Sequence, residues 1–158
     1  MKKIILLDID GVLLSLGKVP EDAVQIGAFT IKNSLKNWLQ LLGRKTDIYW
    51  CSSWQEKSDI FAQLLNFETK GFLDFSGKRT KNYLWNKLEV LENFYLAHAN
   101  AVFVLIDDNA NPWLIKASQI LNQAQECGKL LVIRPFAYTG LTDKEMEKIN
   151  HWLSDVNS

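Results

Sequence analysis

Two acidic pairs stand at the ends of apolar runs in this chain of 158 residues. Asp8-Ile9-Asp10-Gly11 follows residues 4–7, and Asp107-Asp108 follows residues 102–106. Carboxylates placed side by side repel one another, so such positions are poor ones for acids unless a cation holds them. Hard oxygen ligands in small number suit Mg²⁺, which keeps several waters and takes substrate phosphate as a further ligand. The plainer alternative is that these acids cap helices, a task Asp does well; one pair could do that, but two pairs on strand ends are harder to explain so. A calcium-binding EF-hand loop is excluded, because Gly11 comes too early and Val12 and Leu13 occupy positions where that loop needs ligands.

The elements that must position these acids alternate along the chain. Residues 3–7, 47–51, 101–106 and 129–134 are short apolar runs expected to be strands, and residues 71–75 are a weaker candidate. Between them lie segments of helical period. Ser34 is placed to cap a helix carrying Leu35, Trp38, Leu39 and Leu42, closed by Gly43. Ser53 and Glu56 have capping-box spacing before Ile60, Phe61, Leu64 and Leu65. Leu84, Leu88, Leu91 and Tyr95 form one stripe, residues 112–126 read as one helix ended by Gly128, and Thr142 with Glu145 opens a last helix bearing Met146, Ile149, Trp152 and Leu153. Near-continuous apolar strands separated by helices predict a doubly wound, Rossmann-like α/β domain with a parallel five-stranded sheet. Ligands of such sheets gather at the carboxyl ends of the strands, which brings Asp8, Ser52, Asp107 and Arg134 to one edge and sends Arg44 and Lys45 to the other.

Composition narrows the classes. The apolar share is 47%, enough for a core, and a chain of this length is expected to form one domain over residues 1–158. Eighteen basic and eighteen acidic residues cancel, so no global charge drives the chain toward nucleic acid or an acidic membrane, although local patches remain open to either. Two lysines precede the apolar residues 4–7, but that run is too short for an export signal or a membrane span. The expectation is a cytoplasmic protein with no membrane partner, in which Cys51 and Cys127 are ordinary thiols without metal-ligand spacing.

Taken in order, these features resemble the haloacid dehalogenase superfamily over essentially the whole chain. Asp8-Ile9-Asp10-Gly11-Val12 looks like its first signature, Ser52 after residues 48–51 like the second, and Asp107-Asp108 like the fourth. The resemblance implies an Mg²⁺-dependent phosphatase in which Asp8 attacks phosphorus and becomes an aspartyl-phosphate. Asp10 would serve as general acid and base, and Ser52 would bind a phosphoryl oxygen. Asp107 and Asp108 would complete the metal site with Asp8 and Asp10, the last through its backbone carbonyl. Trp50-Cys51-Ser52-Ser53-Trp54, Asp107-Asp108 and Gly140-Leu141-Thr142 before a helix with Trp152-Leu153 are similar to the dehalogenase-type domains of bacterial multi-domain RNA-repair proteins.

The third signature is a lysine, for which Lys81 and Lys87 compete. If the helix carrying Leu84 starts near Lys81, that residue shares its inward stripe at the catalytic edge, while Lys87 lies about 9 Å deeper. On that ground Lys81 is placed first; Lys87-Leu88, which resembles the repair-domain pattern, keeps the alternative open. Residues 12–46 must supply a flap and a helix, and residues 54–80 a helix and a strand, so neither has room for a packed lid domain and the site should be open. An open site suits a macromolecular substrate such as a phosphorylated nucleic-acid end. Lys18, Trp54, Lys78, Arg79, Trp113, Arg134 and the turn at Gly140 stand near it, although Trp54 and Trp113 are expected to pack under their helices. The competing readings are a small-metabolite phosphatase, a phosphate-binding regulatory module and an inactive interaction domain. A receiver-type module would place its acidic pair first and its acceptor Asp later, the reverse of what stands here.

Overall fold

A computed structural model of the protein describes residues 1–17, 19–77 and 85–156. Five parallel strands form the central sheet: β1 (Lys2–Leu7), β4 (Asp47–Trp50), β5 (Gly71–Phe72), β6 (Ala101–Ile106) and β7 (Leu130–Ile133), in the order β5-β4-β1-β6-β7. The numbering leaves room for a separate antiparallel hairpin, β2 (Ala23–Ile26) and β3 (Phe29–Lys32). The helices are α1 (Asn33–Leu42), α2 (Asp59–Leu65), α3 (Leu88–Ala97), α4 (Pro112–Ala117), α5 (Gln119–Glu126) and α6 (Asp143–Asp155).

Strand residues alternate between faces, and here each face has its own core. Ile5, Leu7, Ile48, Trp50, Val104 and Ile106 meet Leu39 of α1, Phe61 of α2 and Ile149 of α6. Ile4, Leu6, Phe103 and Leu105 meet Leu91 of α3, Ile115 of α4 and Leu121 of α5. Every residue of β6 is buried, which is why its sequence is apolar without a break. The doubly wound parallel sheet expected from the sequence is therefore the fold observed.

Several local expectations give way to packing. Ser34 does not cap α1. Lys32 stands at the N-cap without a side-chain cap bond, and the Ser34 hydroxyl donates instead to Asp143 Oδ1 of α6 at 2.8 Å. Ser53 and Glu56 form no capping box; a single 3-10 turn at Gln55–Ser58 intervenes before α2. That tighter turn shifts the helical phase, so Ile60 and Leu64 face solvent while Phe61, Ala62 and Leu65 are buried. The helix expected over residues 112–126 is two, because Ser118 takes an extended conformation and accepts from Leu121 N to cap α5. The third strand is cut to two residues; beyond it Asp74 accepts from the backbone and hydroxyl of Ser76, drawing the chain into a turn. Thr142 and Glu145 do form the expected capping box on α6.

Among the described residues between β1 and β4 the chain supplies the β2–β3 hairpin and α1 and no packed lid. The two strands of the hairpin were missed in the sequence, although Gly27, with φ +59, opens a two-residue turn between alternating segments.

Candidate active site

Three strand ends and one helix start converge at the carboxyl edge of the sheet. After β1, the Asp8 amide still pairs with Ile106 O, and the Asp8 carboxylate accepts from Ile9 N at 2.8 Å. The chain then turns sharply, with Val12 and Leu13 both donating to Ile9 O. After β4 comes Ser52, fully buried, and after β6 comes Asp107, also fully buried. Asp107 Oδ1 accepts from Asn109 N at 2.8 Å. One carboxylate oxygen each from Asp8, Asp107 and Asp108 lies within 4.8 Å of the others.

Lys87 reaches into this cluster. Its Nζ lies 2.6 Å from Asp107 Oδ2 and 3.3 Å from Asp8 Oδ2, donates to Cys51 O at 2.7 Å, and sits 5.4 Å from the centre of the Phe75 ring. The expectation that Lys87 lies deep in a helix is corrected by the structure. Lys87 is the N-cap of α3, which begins at Leu88, and residues 85–87 form a turn ahead of it. It therefore stands at the carboxyl edge of the sheet, beside Asp8 and Asp107. Lys81, with Lys78 and Arg79, falls in residues 78–84 and lies outside the described residues, as does Lys18.

Asp10 stands apart from the three-carboxylate cluster. Its Oδ2 accepts from the indole Nε1 of Trp54 at 2.9 Å. Trp54 is only half-buried, contrary to the expectation that it packs wholly under its helix. Its ring is fixed edge-on against Phe61 at 4.9 Å and Phe29 at 5.8 Å, and its backbone N–H donates to Ser52 Oγ at 3.2 Å. Trp113 is corrected further, being 56% exposed on α4. Arg134 is at the expected edge, with Nε donating to Asp108 O at 3.1 Å.

Gly11 is needed for two reasons. Its φ is +75°, and a Cβ there would lie 2.7 Å from the Asp108 carboxylate and 3.1 Å from Ala137 Cβ. Any side chain would displace Asp108 from the cluster.

Among the described residues the charges do not balance: three acids face one lysine. Burial first, and the neighbouring Asp107 second, push Asp8 up to about 7 despite the opposing pull of Lys87. Burial and Asp107 also raise Asp108. Burial alone would lower the Lys87 ammonium, but Asp107 and Asp8 outweigh it and hold it above its usual value. Burial pushes the Cys51 thiol up to about 12, which makes it an inert neighbour. Excess negative charge, hard oxygen donors and close spacing are what a small divalent cation fits.

A stability prediction follows from the sign of the Asp8 shift. A carboxyl whose pKa is higher folded than unfolded binds protons more tightly when folded. Its contribution is fullest below about pH 4, the unfolded value, and is lost as pH rises through about 7. In metal-free buffer, Asp8→Asn should therefore be more stable than the wild type at pH 8, by on the order of a few kcal/mol at about 1.4 kcal/mol per pKa unit, and should melt at a higher temperature. The gap should shrink toward pH 5, as thermal melts in EDTA would reveal; a gap independent of pH contradicts the buried-charge account.

Over residues 4–146 the sequence matches the family described as the HAD domain in Swiss Army Knife RNA repair proteins, HAD standing for haloacid dehalogenase. The matched span runs from β1 into the first turn of α6 and takes in every residue of the cluster. No curated protein matches the chain. The family carries hydrolase chemistry of the phosphatase type, and among the described residues no helix is long and apolar enough to cross a membrane.

Proposed function

Because the chain belongs to the family of HAD domains in Swiss Army Knife RNA repair proteins, we propose that it is a phosphomonoesterase acting through an aspartyl-phosphate on Asp8, with a phosphorylated nucleic-acid end as substrate and residues 1–158 working as one domain. The observation that supports this most is the meeting of Asp8, Asp107, Asp108 and Lys87 at one strand edge.

Asp8 attacks phosphorus in line, forming the acyl-phosphate bond as the bond to the leaving oxygen breaks. Asp10 protonates that oxygen, then takes a proton from the water that attacks the acyl-phosphate and releases inorganic phosphate. Trp54 holds one oxygen of Asp10 and leaves the other for these transfers. Ser52 Oγ accepts from Trp54 N, which leaves its hydroxyl hydrogen to donate to a phosphoryl oxygen. We assign the third-signature role to Lys87, whose ammonium neutralises charge beside the nucleophile. A divalent cation, Mg²⁺ by its donor set, would be held by Asp8, Asp107, Asp108 and the Asp10 carbonyl and would offset charge on the phosphoryl oxygens.

The nucleic-acid end is favoured by the open site and the family's RNA-repair setting. Hydrolysis of a 3′- or 5′-phosphorylated oligonucleotide should show higher kcat/KM than hydrolysis of the matching mononucleotide, and added salt should erode the difference. Activity on either should vanish in EDTA and return with Mg²⁺. Equal efficiency on both, or preference for a small sugar phosphate, contradicts the nucleic-acid reading and leaves a general phosphatase.

A further inference from the structure

The loop after β7, whose Ala137 stands beside Gly11 and Asp108, holds two aromatic side chains in solvent. Phe136 is 71% exposed and Tyr138 53%, with ring centroids 6.1 Å apart and planes inclined by 33°. Exposed apolar rings are unfavourable in water, yet this loop is firmly built. Pro135 beneath it is buried, and Thr139 N and Gly140 N both donate to Phe136 O at 3.0 and 2.9 Å. Leu16 N donates to Ala137 O at 2.8 Å, tying the loop to the turn that follows Asp10. Tyr138 lies so close over Gly17 that a Cβ there would come within 2.0 Å of the ring. The two rings are thus presented on a fixed frame.

Ala137, which stands between the two rings in sequence, ties this loop to the carboxylate cluster. The point above Gly11 that a Cβ would occupy is 2.7 Å from the Asp108 carboxylate and 3.1 Å from Ala137 Cβ. The loop that carries the aromatic pair therefore reaches the cluster through Ala137. Arg134, at the start of the same loop, is exposed, forms no ion pair among the described residues and is anchored to Asp108 O through Nε.

Building on the reading of the substrate as a nucleic-acid end, we propose that Phe136 and Tyr138 form a stacking subsite for the unpaired base of the terminal nucleotide whose phosphate enters the Asp8 site. The base of that nucleotide lies one sugar away from the scissile phosphate, and the residue between the two rings in sequence, Ala137, stands beside the Gly11 turn and Asp108. Stacking on a side-chain ring accepts any base, because every base has a π-face. The Arg134 guanidinium supplies a positive charge for the next phosphodiester along the strand. A protein partner packing on the same rings is the competing occupant.

The test compares three substrates: a short single-stranded oligonucleotide phosphorylated at whichever end the wild type prefers, the same strand with an abasic terminal residue, and glycerol phosphate. Phe136→Ala, which removes a ring that supports little of the core, should lower kcat/KM on the base-bearing strand by about tenfold or more. Glycerol phosphate and the abasic strand should be unaffected, and Phe136→Trp should keep full activity. The Phe136→Ala/Tyr138→Ala double variant should deepen the loss on the base-bearing strand alone. Equal loss on all three substrates would assign the rings a structural role. A wild-type preference for the base-bearing strand that survives in both alanine variants overturns the stacking subsite while sparing the nucleic-acid reading. A wild type indifferent between oligonucleotide and glycerol phosphate removes both.

Discussion

Asp8→Asn should lower phosphatase turnover by on the order of 10⁵-fold or more, the scale seen when a covalent nucleophile is deleted, while the folded protein persists. The expectation rests on where Asp8 sits. Its backbone continues the β1 ladder through Ile106 O, so the side chain is carried on a rigid strand end. One carboxylate oxygen is held by Ile9 N and the other faces Lys87. An amide keeps the shape but cannot form the acyl-phosphate. The same substitution relieves a buried charge, so the dead variant should be at least as stable as the wild type in metal-free buffer at pH 8. Loss of activity together with a lower melting temperature there would point to a damaged fold instead.

Lys87→Met should give the second large effect, on both stability and rate. The ammonium is the positive partner of Asp107 at 2.6 Å and of Asp8 at 3.3 Å, with little solvent to replace it. Removing one partner of a buried pair costs about 3–5 kcal/mol, because the remaining charge is left uncompensated. That loss should be greatest at high pH, where Asp8 is ionised, and should diminish as the acid takes up its own proton. Turnover should fall by about 10²–10³-fold, as when a preorganised charge-stabilising group is lost. Lys81→Ala, by comparison, should cost little. Steady-state kinetics on both variants decide the matter, and a larger loss at Lys81 would return the role to that residue.

The uneven legibility of this site has physical causes. Asp8, Ser52 and Asp107 could be read because each follows an apolar run that is buried in the sheet, and a parallel sheet sends all such ends to one edge. Lys87 was harder. Leu84, Leu88 and Leu91 keep helical spacing, which hides the turn at residues 85–87 and the true start of α3. The Trp54–Asp10 bond joins residues 44 apart in the chain, a contact no local pattern encodes. Ser34 and Ser53 have good N-cap chemistry, but that preference is worth only about 1 kcal/mol, and tertiary partners overrode it: Asp143 took the Ser34 hydroxyl, and a 3-10 turn replaced the start expected at Ser53. Thr142 and Glu145 kept their box because both halves of the motif lie within one turn.

Chemical trapping of the phosphorylated enzyme bears most directly on the account. Asp10→Asn, which lacks the base for the second displacement, is mixed with substrate, quenched in acid and treated with borohydride, which reduces an acyl-phosphate to the alcohol. Peptide mapping should then find homoserine at position 8 and nowhere else, in an amount that rises with substrate and is absent without a divalent cation. An unmodified Asp8 in a sample that has turned over substrate, or modification at Asp107 or Asp108 in its place, would contradict the account.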